Sequence, residues 1–123
     1  MKKILIIEDE KMLGEMYQEK FRKEGFEAFL AGSTEEAIEA VPKIKPDLIL
    51  LDILLPKKNG IGFMEWFSGQ KEFASVPVIA FSNYDHPEKR EKAKKLGIKD
   101  YLIKTDFTPQ EIVDKVKKYL ENT

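Results

Sequence analysis

Five short apolar runs alternate with amphipathic stretches along the chain, and this alternation leaves few folds open to it. The runs are 3–8 (KILIIE), 26–31 (FEAFLA), 47–52 (DLILLD), 76–82 (VPVIAFS) and 100–104 (DYLIK). The near-continuous ones read as strands buried on both faces. Leu13, Met16, Tyr17 and Phe21 recur at helical spacing up to Gly25. Ser33 and Glu36 form a capping box ahead of Ala37, Ile38 and Val41, and Pro42 is expected to end or kink that helix. Phe63, Met64, Trp66 and Phe67 mark a third helix. Residues 87–96 form a charged fourth helix closed by Gly97. Thr108, Pro109 and Glu111 cap a fifth, with Ile112, Val113, Val116, Tyr119 and Leu120 on one face.

A βα unit repeated in this way predicts a parallel sheet with helices on both faces, joined by right-handed crossovers. The first, third and fourth runs are the most apolar and belong in the middle. The second and fifth are mixed and belong at the edges. That is the strand order 2-1-3-4-5 of a flavodoxin-like (βα)5 three-layer sandwich, and residues 1–123 read as a single domain.

Composition excludes several chemistries. There are no cysteines, so thiol nucleophiles, disulfides and thiolate metal sites are out; the single histidine, His86, rules out a multi-histidine metal centre. Net charge is −1, from 21 basic and 22 acidic residues, so nothing drives the chain toward nucleic acid or an anionic membrane. The apolar run after "MKK" is too short for a signal core, and no stretch approaches a bilayer span. A cytoplasmic protein is expected.

The acids stand out against this frame. Asp52 follows Leu48–Leu51 directly, where an unpaired charge is costly to bury. In the 2-1-3-4-5 order, ligands bind beyond the carboxyl ends of the strands, where strand order reverses. That point lies between the first and third strands, so Glu8, Asp9 and Asp52 are predicted to converge there, with Asp52 kept affordable by the wet edge of the sheet. Three carboxylates need a shared cation or proton, and oxygen ligands with room for water suit Mg²⁺ or Mn²⁺. The same rim receives Ser82 from the fourth strand and Lys104 from the fifth. A carboxylate nucleophile, a metal site, a hydroxyl and a lysine together suit phosphoryl transfer to Asp52.

The series "EDE", "DILLPKKNG", "FSN" and "YLIKT" resembles, over the whole chain, the receiver domain of bacterial two-component response regulators. The resemblance implies that Asp52 is the phospho-acceptor. Glu8, Asp9 and Asp52 would hold the divalent metal, with the backbone carbonyl of Leu54 as a further ligand. It makes Ser82 the switch hydroxyl, Lys104 the essential lysine and Tyr101 the switch aromatic, and Pro56 and Gly60 match the loop after the acceptor. It also implies a histidine kinase or phosphotransfer protein as donor, and a downstream protein met through the fourth helix, fifth strand and fifth helix. A monomer or a phosphorylation-dependent dimer is expected, with no external turnover and no direct contact with nucleic acid or membrane. The chain departs from the family pattern at Thr105, where a proline, often cis, usually follows the lysine. Leu54 and Tyr84 are apolar or bulky at positions that tune dephosphorylation, so a long-lived acyl phosphate is expected.

Taken singly, each residue has a plainer reading. "EDE" suits a helix N-terminus, Ser82 a turn and Lys104 a solvated side chain. Tyr101 fits a half-exposed strand ring, and His86 a solvated turn residue before Pro87. Phe63, Trp66, Phe67 and Phe73 suit the core, and "EKREKAKK" (88–95) suits a solvated helix whose five basic residues would favour an acidic partner. The alternatives to a stand-alone receiver are a receiver cut from a regulator with DNA-binding or enzymatic output, an Mg²⁺-dependent aspartyl-phosphate phosphatase and a constitutive scaffold. A phosphatase usually carries a second acid two residues after its nucleophile, where this chain has Leu54. A flavin binder is disfavoured because "EDEKM" would repel phosphate.

Overall fold

A computed structural model describes residues 1–53, 60–83 and 85–121. The strands are β1 (Lys3–Ile7), β2 (Glu27–Ala31), β3 (Leu48–Asp52), β4 (Val78–Ser82) and β5 (Asp100–Ile103). The helices are α1 (Lys11–Lys23), α2 (Thr34–Ile44), α3 (Gly60–Phe67), α4 (Pro87–Lys95) and α5 (Pro109–Glu121). The sheet is parallel throughout, in the order β2-β1-β3-β4-β5. β3 and β4 are buried along their whole length, while β2 and β5, at the edges, are mixed. Apolar content thus sorts the strands as the sequence predicts, because a central parallel strand must bury both faces.

Two cores flank the sheet. On one side Tyr17 and Phe21 of α1, and Ile112, Val113, Val116 and Leu120 of α5, pack with Ile4, Ile6, Leu50 and Phe81. On the other, α2, α3 and α4 cover Leu5, Ile7, Ile49 and Leu51. There Phe63, Phe67 and Phe73 stack in series, with centroids 5.5 and 6.3 Å apart, so the aromatic group is core. Helix α4 contributes only Ala93 to the buried set. Its charged run is therefore a solvated surface, as its composition implies.

The caps form as the sequence requires. The Ser33 hydroxyl accepts from the Glu36 N–H at 3.1 Å. The box at α5 is fully reciprocal, with the Glu111 N–H donating to Thr108 Oγ1 at 3.1 Å and the Thr108 N–H donating to Glu111 Oε1 at 2.8 Å. Pro42 does not end α2 at its own position: the helix runs on to Ile44. It falls in the last turn, where the missing N–H removes one bond, and Lys45 closes the helix in the left-handed region at φ 54° with its N–H on the Val41 carbonyl. Gly25, at φ 93°, Gly97 and Gly60 demand their identity. Gly97 follows α4 at φ 106°. At Gly60 a Cβ would come within 2.7 Å of Ile53 Cα and 2.8 Å of the Asp52 carbonyl, so glycine allows α3 to begin against the end of β3.

Candidate phosphoryl-transfer site

Parallel pairing alone brings the rim residues level. Register aligns Ile7 with Leu51, Asp52 with Phe81, and Ser82 with Ile103. Glu8 and Asp9 therefore emerge beside Asp52, while Ser82 lies one residue beyond Asp52's partner and next to the strand that delivers Lys104. One carboxylate oxygen from each of Glu8, Asp9 and Asp52 falls within a group no wider than 4.8 Å. Asp9 is exposed, whereas Glu8, Asp52 and Ser82 are buried.

The burial of Asp52 corrects one expectation. It is the last residue of β3, but it is only 5% exposed, so water is not what makes its charge tolerable. The Lys104 ammonium does that, 3.4 Å from Asp52 Oδ2 and 2.8 Å from Glu8 Oε2. Lys104 opens a single 3-10 turn after β5 rather than ending the strand. No peptide bond among the described residues is cis, and the ammonium reaches both acids with Thr105 in the usual proline's place.

Glu8 shows how crowded the cluster is. Burial first, and the Asp52 charge with it, raise its pKa to about 7, against the opposing pull of the Lys104 hydrogen bond and charge. The Glu10 N–H holds Glu8 Oε1 at 3.1 Å. Behind the cluster, Tyr17 meets the Phe81 ring edge to face at 5.5 Å, and burial with the Glu8 charge pushes its hydroxyl up to about 12.

Tyr101 lies level with Ala80 and is half-buried. Its hydroxyl is buried, with no hydrogen-bond partner among the described residues, and the Arg90 guanidinium carbon stands 5.7 Å from its ring centroid. His86 is half-buried at the start of α4 rather than solvated, because the chain turns there into Pro87 at the first helical position. Leu54, Pro56 and Tyr84 lie outside the described residues. Phe81, which sequence reasoning placed only in a buried strand, has its ring centroid 4.4 Å from the Lys104 nitrogen.

The family model for the response regulator receiver domain matches residues 4–117. The chain belongs to this family. The receiver is 35% identical over 118 residues to sporulation initiation phosphotransferase F of Bacillus subtilis, covering 96% of this chain and 93% of that one. It is 32% identical over 122 residues to the alkaline phosphatase synthesis transcriptional regulatory protein PhoP of Bacillus subtilis, covering 99% of this chain but spanning only half the length of that relative. Among solved structures, a putative response regulator from Chloroflexus aurantiacus superimposes with a TM-score of 0.86 at 29% identity, covering 98% of each chain. A CheY-like receiver from Methanospirillum hungatei gives a TM-score of 0.90 at 24% identity, covering 99% of this chain and 95% of that one, and shares the fold. The receiver thus belongs to a family of two-component signalling proteins rather than of classical enzymes. No described helix is long and apolar enough to cross a membrane.

Proposed function

We propose that this receiver accepts a phosphoryl group on Asp52 from a histidine kinase or phosphotransfer protein in the cytoplasm, and that residues 1–123 act as one switching unit. The observation that carries this reading is the Lys104 ammonium held at 2.8 Å from Glu8 and 3.4 Å from Asp52, within one buried acidic cluster. A carboxylate oxygen of Asp52 attacks phosphorus in line. The bond from phosphorus to the donor imidazole nitrogen breaks, and that nitrogen keeps the electron pair. Lys104 neutralises charge growing on the transferred group, and Ser82 donates its hydroxyl to a phosphoryl oxygen. The all-oxygen donor set fits a hard divalent cation: Glu8, Asp9 and Asp52 would hold Mg²⁺ or Mn²⁺, with the Leu54 carbonyl as a further ligand. Such a cation supplies neutralising charge at the phosphoryl oxygens.

The readout is a change on the α4–β5–α5 face, with Tyr101 as the moving aromatic. A groove of about 250 Å³ on this face is lined by Arg90, Lys94, Ile98, Lys99, Asp100 and Tyr101. Both oxygens of Asp100 are engaged, one by the Tyr101 N–H and one by the Tyr119 hydroxyl, each at 2.8 Å. Asp100 keeps its charge, but Arg90, Lys94 and Lys99 outnumber it around the groove, which suits an acidic segment of a downstream protein. Binding there as a monomer, or after phosphorylation-dependent dimerisation, completes the signal. The chain accelerates its own phosphorylation and hydrolysis and turns over no external product. Leu54 and Tyr84 lengthen the lifetime of the acyl phosphate, so Leu54→Asn shortens it.

Intact mass after incubation with acetyl phosphate, with and without Mg²⁺, tests the reading. One Mg²⁺-dependent phosphoryl adduct, absent from Asp52→Ala, is expected. An adduct that persists in Asp52→Ala moves the acceptor elsewhere.

A further inference from the structure

We infer that Phe81 is a positioning residue for phosphoryl transfer: its ring face seats the Lys104 ammonium. This rests on the receiver reading of Asp52 and Lys104, and it names a residue that the reading does not use. Lys104 needs a seat. Its ammonium rides on a flexible four-carbon stem, and its backbone lies in a short 3-10 turn that continues through Thr105 and Asp106. Among the described residues, three groups meet the ammonium. Two are the carboxylates of Glu8 and Asp52, and the third is the Phe81 ring, with its centroid 4.4 Å from Nζ. That distance is well inside the range at which a cation is drawn to an aromatic face.

The three partners differ in what the reaction demands of them. Asp52 becomes an acyl phosphate and loses the oxygen charge that now attracts the lysine. Glu8 belongs to the group of acids that would hold a cation. Phe81 has no such competing duty. Among the described residues it is the contact of the lysine that persists when both carboxylates are engaged elsewhere, so it keeps the ammonium at the rim through the cycle.

The ring is itself held rigidly. Phe81 is fully buried, pairs in register with Asp52, and accepts at its backbone carbonyl from the Ile53 N–H at 3.3 Å. Tyr17 packs against it at 81° between ring planes. The nucleophile-bearing strand and the lysine's seat therefore move as one unit, which places the ammonium relative to Asp52 rather than relative to its own loop.

The test replaces Phe81 with 4-fluoro-, 3,5-difluoro- and 3,4,5-trifluorophenylalanine, which weaken the ring's attraction for a cation stepwise while nearly preserving its shape. The rate of adduct formation from acetyl phosphate with saturating Mg²⁺ is measured beside the thermal midpoint. The expected result is a stepwise fall in rate, roughly threefold or more at the trifluoro ring, with the midpoint nearly constant. Phe81→Leu falls at least as far and loses the upfield ring-current shift of the Lys104 Hε protons in the unphosphorylated protein. A rate flat across the fluorinated series, with the wild type forming its adduct normally, overturns the role of Phe81 and leaves the receiver reading standing. A wild type that forms no adduct from acetyl phosphate or from a phosphorylated histidine donor overturns both.

Discussion

Two of the receiver's lysine–glutamate pairs are nearly equal in length but lie in opposite surroundings. Lys104 meets Glu8 at 2.8 Å with side chains 8% and 0% exposed, and Lys117 of α5 meets Glu24 at 3.0 Å with both side chains 30% exposed. The carboxylates respond in opposite directions. Hydrogen bonds from Lys117 and Gln110 hold Glu24 below the usual carboxylate range. Burial drives Glu8 up to about 7 in spite of its lysine. A partner at hydrogen-bond distance therefore does not by itself make a stabilising ion pair. At the α1–α5 seam water still solvates the charges, so the pair has little to overcome and little to contribute. At the sheet rim the loss of hydration outweighs the gain from pairing, and the cluster is a cost that the fold carries for its chemistry.

The largest test of that contrast removes each lysine in turn. Lys104→Met leaves Glu8 and Asp52 buried without their cation, and at pH 8 it should lower stability by about 4 kcal/mol in urea unfolding. Lys117→Met should leave the urea midpoint within error of the wild type. Equal shifts from the two variants would break the comparison.

The pH dependence of stability sharpens it. In the folded chain Glu8 binds a proton up to about pH 7, whereas in the unfolded chain it releases one near its ordinary value of 4.5. The folded state therefore holds more protons between those limits. The contribution of Glu8 is complete at low pH and lost as pH rises through about 7, a loss of up to roughly 3 kcal/mol. Wild-type stability should fall between pH 5 and 8, and in Glu8→Gln that fall should flatten.

Gly60→Ala probes the same rim by packing alone. The added methyl meets backbone atoms of Asp52 and Ile53 that cannot move aside, so a loss of about 2 kcal/mol is expected, together with slower adduct formation. The smallest expected effect is that of added metal. Mg²⁺ at ten times its dissociation constant should stabilise the protein by about 1.4 kcal/mol. Because it competes with the Glu8 proton, the affinity should be higher at pH 8 than at pH 6, and Asp9→Asn should weaken it. A gain independent of pH would mean that Glu8 takes no part in holding the ion.

Much of this was legible in the chain itself. Continuous apolar runs at 3–8, 47–52 and 76–82 required doubly covered strands, and their alternation with capped amphipathic segments required a parallel sheet. Once the strand order followed from apolar content, Glu8, Asp9, Asp52, Ser82 and Lys104 had to meet at one rim, because each sits at or just past the carboxyl end of a strand. Local sequence carries these facts because hydrophobic period and strand ends are local properties. Other facts depend on which groups share a dry volume, and linear order does not contain that. Pro42 continues a helix because its lost bond falls in the final turn. Asp52 is sheltered by Lys104 rather than by water, the pKa of Glu8 is raised to about 7 because it is buried beside Asp52, and Phe81 faces an ammonium 23 residues away in sequence. Desolvation, close approach and ring-to-cation geometry are properties of the packed rim, and only the tertiary structure decides them.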